Sequence, residues 1–105
     1  MSAAEHRSHV FPRHSRKRLP QVARGEGCYL YDTEGRRYLD ACGGAAVSCL
    51  GHSAETVTEA VKAQLDAIPY AHTSFFTSAP AEALADKLID AAPEGIERVY
   101  FVSGG

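Results

Sequence analysis

Val99-Tyr100-Phe101-Val102-Ser103-Gly104-Gly105 decides how this chain is read. Val99 to Val102 is a continuous apolar run, which fits a strand buried on both faces, as in a parallel sheet. Ser103-Gly104-Gly105 behind it has the composition of a turn into a helix. Such a turn points backbone N–H groups and a helix N-terminus at an anion, usually phosphate. A plain strand-to-helix turn is the alternative reading of the two glycines. A parallel strand needs neighbours, and the sequence offers none. Alone, it would keep open edges. The expectation is that 105 residues form the front of something longer.

Two helical stretches lie upstream. Ser78 and Pro80 mark a helix start. Ala81, Leu84, Ala85, Leu88, Ile89 and Ala92 form its apolar stripe, and Pro93 and Gly95 end it. Ser53 is suited to cap an earlier helix by accepting an orphan N–H of the first turn. Val57, Ala60, Val61, Leu65 and Ile68 fall at helical spacing, and Pro69 stops that helix. Between the two, Tyr70 to Thr77 is an irregular connector with more aromatic and hydroxyl groups than a linker requires.

Further upstream the pattern changes to β. Pro20 opens an extended stretch, and Gly25 and Gly27 bracket Glu26. Cys28-Tyr29-Leu30-Tyr31 reads as a strand from its aromatic content. Asp32-Thr33-Glu34-Gly35 is a turn, with Asp at the first position to accept a nearby backbone N–H and Gly at the fourth. Arg36-Arg37-Tyr38-Leu39-Asp40 returns, completing a β-hairpin. Small side chains then dominate Ala41 to Cys49, ahead of Leu50-Gly51-His52. A backbone this bare can closely approach a ligand or another element. Composition alone favours packing.

The chain weighs 11.3 kDa, enough for one small domain. Its 45% hydrophobic and 23% charged residues are an ordinary globular balance. No apolar run approaches the roughly 20 residues of a membrane span. The N-terminus lacks a signal-peptide apolar core, which argues against secretion. Cys28, Cys42 and Cys49 cannot all pair and match no zinc pattern, so they read as reduced thiols of a cytoplasmic protein with no metal site. The net charge of −2 conceals an asymmetry: residues 1–24 carry six basic side chains against Glu5, and the remainder is acidic. A nucleic-acid arm is one reading of the basic segment. A solvated leader is favoured, because Phe11 is its sole aromatic and no stacking residues are interleaved.

Taken in order, these segments resemble the N-terminal quarter of class III pyridoxal-phosphate aminotransferases, the ω-aminotransferase group. The pieces are Gly25-x-Gly27, Asp32-x-x-Gly35-x-x-Tyr38-Leu39-Asp40, Gly43-Gly44, Leu50-Gly51-His52, Ala60-Val61-x-x-Gln64, Leu84-Ala85-x-x-Leu88, Ala92-Pro93, Val99-Tyr100-Phe101 and Ser103-Gly104-Gly105. Each is weak alone. The ordered set, running from about Pro20 to Gly105, is specific.

The resemblance implies an α/β chain, the N-terminal segment of a fold-type-I transferase. Residues 1–18 would be a basic, mobile or extended arm. Residues 19–52 would be the hairpin segment of the small domain. Residues 53–105 would begin the large, mostly parallel sheet domain, truncated at the phosphate loop. It further implies a homodimer acting on small-molecule amine and oxo-acid substrates, with pyridoxal 5'-phosphate held by a lysine as a Schiff base, and with neither nucleic acid nor membrane as partner.

Gly105 matches the glycine of the family's phosphate-binding loop, and Gly104 sits one residue earlier. Ala45 and Ala46 align where many relatives carry larger side chains that wall the substrate pocket. An ordinary packed loop is the equal alternative. Phe75, Phe76 and Thr77 align with a segment that reaches the partner subunit's active site. An aromatic plug in the dimer core is slightly favoured over that role. His52 is assigned no catalytic role. The Schiff-base lysine lies downstream in the family, and Lys62 and Lys87 read as solvated helix-face residues. The span thus holds no catalytic residue and is expected to be inactive alone. Two other readings stand beside the enzyme: a non-catalytic remnant that associates with a full-length relative, and a small basic-armed nucleic-acid binder.

Overall fold

The computed structural model describes residues 8–104. They fall into two compact units, divided between Thr56 and Val57. Residues 8–18 form no helix or strand and are exposed throughout; the rest of the expected arm, residues 1–7, lies outside the described residues.

The first unit is built on a three-stranded antiparallel sheet: β1 (Val22–Glu26), β2 (Tyr29–Asp32) and β3 (Arg37–Leu39), in that spatial order. The expected hairpin is β2–β3, with Tyr29 opposite Leu39 and Tyr31 opposite Arg37. β1 goes beyond the extended stretch read from sequence. It pairs with β2, Glu26 opposite Tyr29, with a bulge between Val22 and Arg24. The two-residue link, Gly27-Cys28, needs a positive φ at its first position, and Gly27 supplies +58°.

The sheet's two faces differ in chemistry. On one, the guanidinium of Arg24 lies 3.7 Å from the centre of the Tyr31 ring, and that of Arg37 lies 4.6 Å from the Tyr29 ring. Each such stack contributes about 0.5–1 kcal/mol at an exposed site. The other face carries Leu30, Asp32 and Tyr38. Asp32 is the only residue classed as buried among the described residues, at 5% exposure. No hydrophobic side chain is fully buried among them.

After β3, a run of turns leads back to the sheet. The His52 N–H donates to the Gly27 carbonyl at 2.7 Å, and the Gly27 N–H donates to Ser53 Oγ at 2.8 Å. Ser53 therefore does not cap the helix as expected. Its hydroxyl is taken by Gly27, and α1 (Glu55–Ala67) starts two residues later. α2 (Ala79–Ala91) begins after Ser78 with Pro80 in its first turn, as read, but the Ser78 side chain makes no capping bond. Instead Thr77 Oγ1 donates to Glu82 Oε1 at 2.5 Å.

The second unit has helices but no sheet. Val99–Val102 forms no strand, contrary to expectation, and Tyr100 is 90% exposed. The physical reason is pairing: the described residues give this run no neighbouring strand to bond with. The stripes of α1 and α2 are likewise uncovered, with Val57, Val61, Leu65, Leu84 and Leu88 each about half exposed.

Gly25 is required for space. A Cβ there would lie 2.5 Å from the His52 Cβ and 2.9 Å from its Cγ. Gly25→Ala is expected to destabilise the first unit by about 1–3 kcal/mol, the usual cost of overpacking. Chemical denaturation followed by tyrosine circular dichroism would measure it, and an unchanged midpoint would contradict the close approach.

Candidate functional site

The polar groups of the first unit gather around two carboxylates, one at each end of β3. Asp32 Oδ1 accepts the N–H groups of Glu34 and Arg36, both at 2.9 Å. Its Oδ2 accepts Arg36 Nε and the Tyr38 hydroxyl, again both at 2.9 Å. Arg36 also pairs with Glu34. Burial raises the Asp32 pKa, but the bonds from Arg36, Tyr38 and Glu34 outweigh it and hold the carboxyl at about 2. The hydrogen bond to Asp32, with burial second, raises the Tyr38 phenol. This cluster is structural: it closes the β2–β3 turn, where Gly35 takes φ +82°.

Asp40 organises the small-residue loop. Its Oδ1 accepts the Gly43 N–H at 3.0 Å, and Cys42 Sγ approaches the same oxygen at 3.6 Å. Its Oδ2 meets Ser48 Oγ at 3.2 Å and His52 Nε2 at 2.7 Å. The Gly43 bond, followed by the His52 bond, holds Asp40 at about 2. Between these anchors the chain turns tightly, with Val47 and Ser48 both donating to the Gly43 carbonyl at 3.1 Å.

Ala45 and Ala46 lie at the exposed tip of this loop. Ala46 has φ +59°, a left-handed conformation that costs a residue with a Cβ about 1–2 kcal/mol. Cys49 Sγ lies 2.9 Å from its carbonyl oxygen. The sequence reading missed Asp40 and Ser48 as loop anchors. Asp40 three positions before a glycine was a usable local signal for the Gly43 bond. The pairing with His52 had none, because twelve residues separate the two.

Phe75, Phe76 and Thr77 belong to the second unit. Phe75 and Phe76 both donate their N–H to the His72 carbonyl, at 3.0 and 3.1 Å, and the two residues are 78% and 66% exposed. Phe76 and Thr77 line an open groove with Ile68, Ala85, Ile89 and Phe101. Phe75 and Gly104 do not line it. Gly104 is exposed, and a Cβ there would meet nothing within 4 Å. Gly105 lies outside the described residues.

Among the described residues Gly104 stands in open space, which leaves room for an anion beside its backbone. Lys62 is exposed and ion-paired with Glu59 at 3.1 Å on α1, and Lys87 is exposed on α2. Among the described residues no cluster could hold a metal ion, no helix is long and apolar enough to cross a membrane, and the three cysteines are free and exposed.

Comparison with known proteins places this geometry in a family. The family described as Aminotransferase class-III matches residues 10–105. An uncharacterized aminotransferase of Schizosaccharomyces pombe is 39% identical over 102 residues, which is 97% of this chain and 22% of the relative. An uncharacterized aminotransferase of Bacillus subtilis is 42% identical over 86 residues, 82% of this chain and 19% of the relative. Among solved structures, the ω-transaminase of Pseudomonas jessenii in complex with PMP aligns with a TM-score of 0.70 at 29% identity, covering 84% of this chain and 21% of its own. The adenosylmethionine-8-amino-7-oxononanoate aminotransferase of Methanocaldococcus jannaschii aligns at 0.71 and 29%, covering 86% and 22%. The chain has the fold of a segment of a fold-type-I transaminase, and spans about a fifth of the length of these relatives.

Both carboxyls sit below their ordinary value of 3.8. A lowered folded pKa contributes stability that is fully present above the unfolded value and is lost as pH falls through the folded one. The first unit is therefore expected to keep its order above pH 3.8 and to lose it towards pH 2. Amide resonances of Glu34 and Gly43 should titrate with midpoints near 2, and midpoints near 3.8 would contradict the bonding described.

Proposed function

The chain belongs to the aminotransferase class-III family, and from that premise we propose that it forms part of a pyridoxal-phosphate transaminase. The reaction moves an amino group from an amine or amino-acid donor to an oxo-acid acceptor. The family match over residues 10–105 carries this reading. The P. jessenii relative crystallised with PMP supports the choice of cofactor.

Within that enzyme, residues 19–52 contribute the small-domain hairpin and residues 53–105 begin the cofactor domain. Gly104 and Gly105 present backbone N–H groups to the cofactor phosphate, as glycine turns do for anions. Ala45 and Ala46 form a low wall on one side of the substrate pocket, open to bulkier substrates than a large side chain would admit. Phe75, Phe76 and Thr77 serve the dimer contact or the partner's pocket. The assembly is a cytoplasmic homodimer. No residue of the span holds or moves a proton at the reacting carbon, so the span alone is inactive.

The uncovered faces of α1 and α2 favour a second reading, a non-catalytic remnant that docks on a full-length relative. Intact mass from the native source separates the two: several times 11.3 kDa supports the enzyme, and a mass near 11.3 kDa supports the remnant.

The activity itself is tested with the complete polypeptide, supplied with pyridoxal phosphate, a panel of amine donors, and pyruvate or 2-oxoglutarate. Turnover is expected there, and none from residues 1–105 alone. Turnover by the isolated span, or none by the complete polypeptide on any donor, would overturn the assignment.

A further inference from the structure

The loop between Gly43 and Gly51 is closed at both ends by one carboxylate. At its start the Gly43 N–H donates to Asp40 Oδ1 at 3.0 Å. At its end His52 Nε2 meets Asp40 Oδ2 at 2.7 Å. Ser48 Oγ reaches the same Oδ2 from inside the loop, at 3.2 Å.

Asp40 is itself fixed, because its N–H donates to the Cys28 carbonyl at 2.9 Å. His52 is fixed twice more. Its N–H donates to the Gly27 carbonyl, and its Cβ and Cγ fill the space left free by Gly25. The Asp40 and His52 side chains are 12% and 20% exposed, so solvent screens their attraction less than that of a surface pair. The loop tip between them is exposed, and the bonds of the left-handed Ala46, its N–H to the Gly44 carbonyl and its carbonyl to the Cys49 thiol, stay within the loop.

We infer that Asp40 and His52 are positioning residues that latch the Gly43–Gly51 loop, and with it Ala45 and Ala46, onto the β1–β2 turn. Neither is a catalytic residue. The latch stands on the geometry above. Its effect on substrate rests on the aminotransferase reading, in which Ala45 and Ala46 wall the donor pocket. A wall without a fixed shape weakens donor binding while leaving the proton-transfer groups in place. KM for the amine donor then rises and kcat holds.

The test uses the complete polypeptide and its Asp40→Asn, His52→Gln and Ser48→Ala variants. Hydrogen exchange across residues 43–49 is expected to quicken about tenfold or more in the first two. Ser48→Ala, which keeps the Asp40–His52 pair, should show a smaller rise. The Glu34 and Arg36 amides, bonded to Asp32, report whether each variant is folded and should not change. Where one of Asp40→Asn and His52→Gln unfolds, the folded one of the two decides, with Ser48→Ala as the control that keeps the pair. Unchanged exchange over the loop in folded variants overturns the latch, whatever the activity. Faster exchange with an unmoved donor KM overturns the positioning role. A parent polypeptide without turnover overturns the aminotransferase reading alone, since exchange still decides the latch.

Discussion

The negative charge of Asp32 is what the first unit is arranged around. With no hydrophobic side chain fully buried among the described residues, the sheet cannot rely on apolar burial in the usual way. An ionised acceptor makes hydrogen bonds roughly twice as strong as a neutral one. Asp32 offers both oxygens to backbone and side-chain donors at once. β3 can follow β2 without splaying because the turn between them is held from inside. Asp40 repeats the device at the far end of β3, where its partners come from the loop and not from the strand turn. Two carboxylates thus do for residues 22–52 what a layer of leucines does in a larger domain.

How much of this was readable from sequence depends on range. The β2–β3 hairpin was legible, because turn chemistry at Asp32 and Gly35 and aromatic strands are local signals. α1 and α2 were legible from periodicity and from Pro69, Pro80 and Pro93. β1 was only half legible. Its Gly25 looks like a strand breaker until the His52 side chain is seen in the vacated space. Ser53 was misread as a helix cap because its true partner, the Gly27 N–H, lies 26 residues away. Val99–Val102 has strand composition and no strand, since pairing is a property of two segments. Of the candidate site, the segments around Ala45 and Phe76 were found through resemblance, whereas the Asp40–His52 contact depends on a fold no local window contains.

The second unit shows the same limit from the other side. Its helices have the spacing of core elements, yet α1 and α2 bury none of their residues. Amphipathic periodicity says which face a helix would bury and nothing about what lies against it. This chain spans about a fifth of the length of its family relatives.

The pairing pattern has a consequence for the order of events on the ribosome. The strand pairings that build the β-unit run between neighbouring segments, β1 to β2 and β2 to β3, and the Gly27–Ser53 link reaches further along the chain. Contacts of short span form fast, since little chain entropy is lost in closing them. The meander can therefore assemble while later residues are still being translated. α1 and α2 emerge next with sticky faces and nothing yet to rest on. While those faces are uncovered, the polypeptide is exposed to aggregation and to capture by a chaperone.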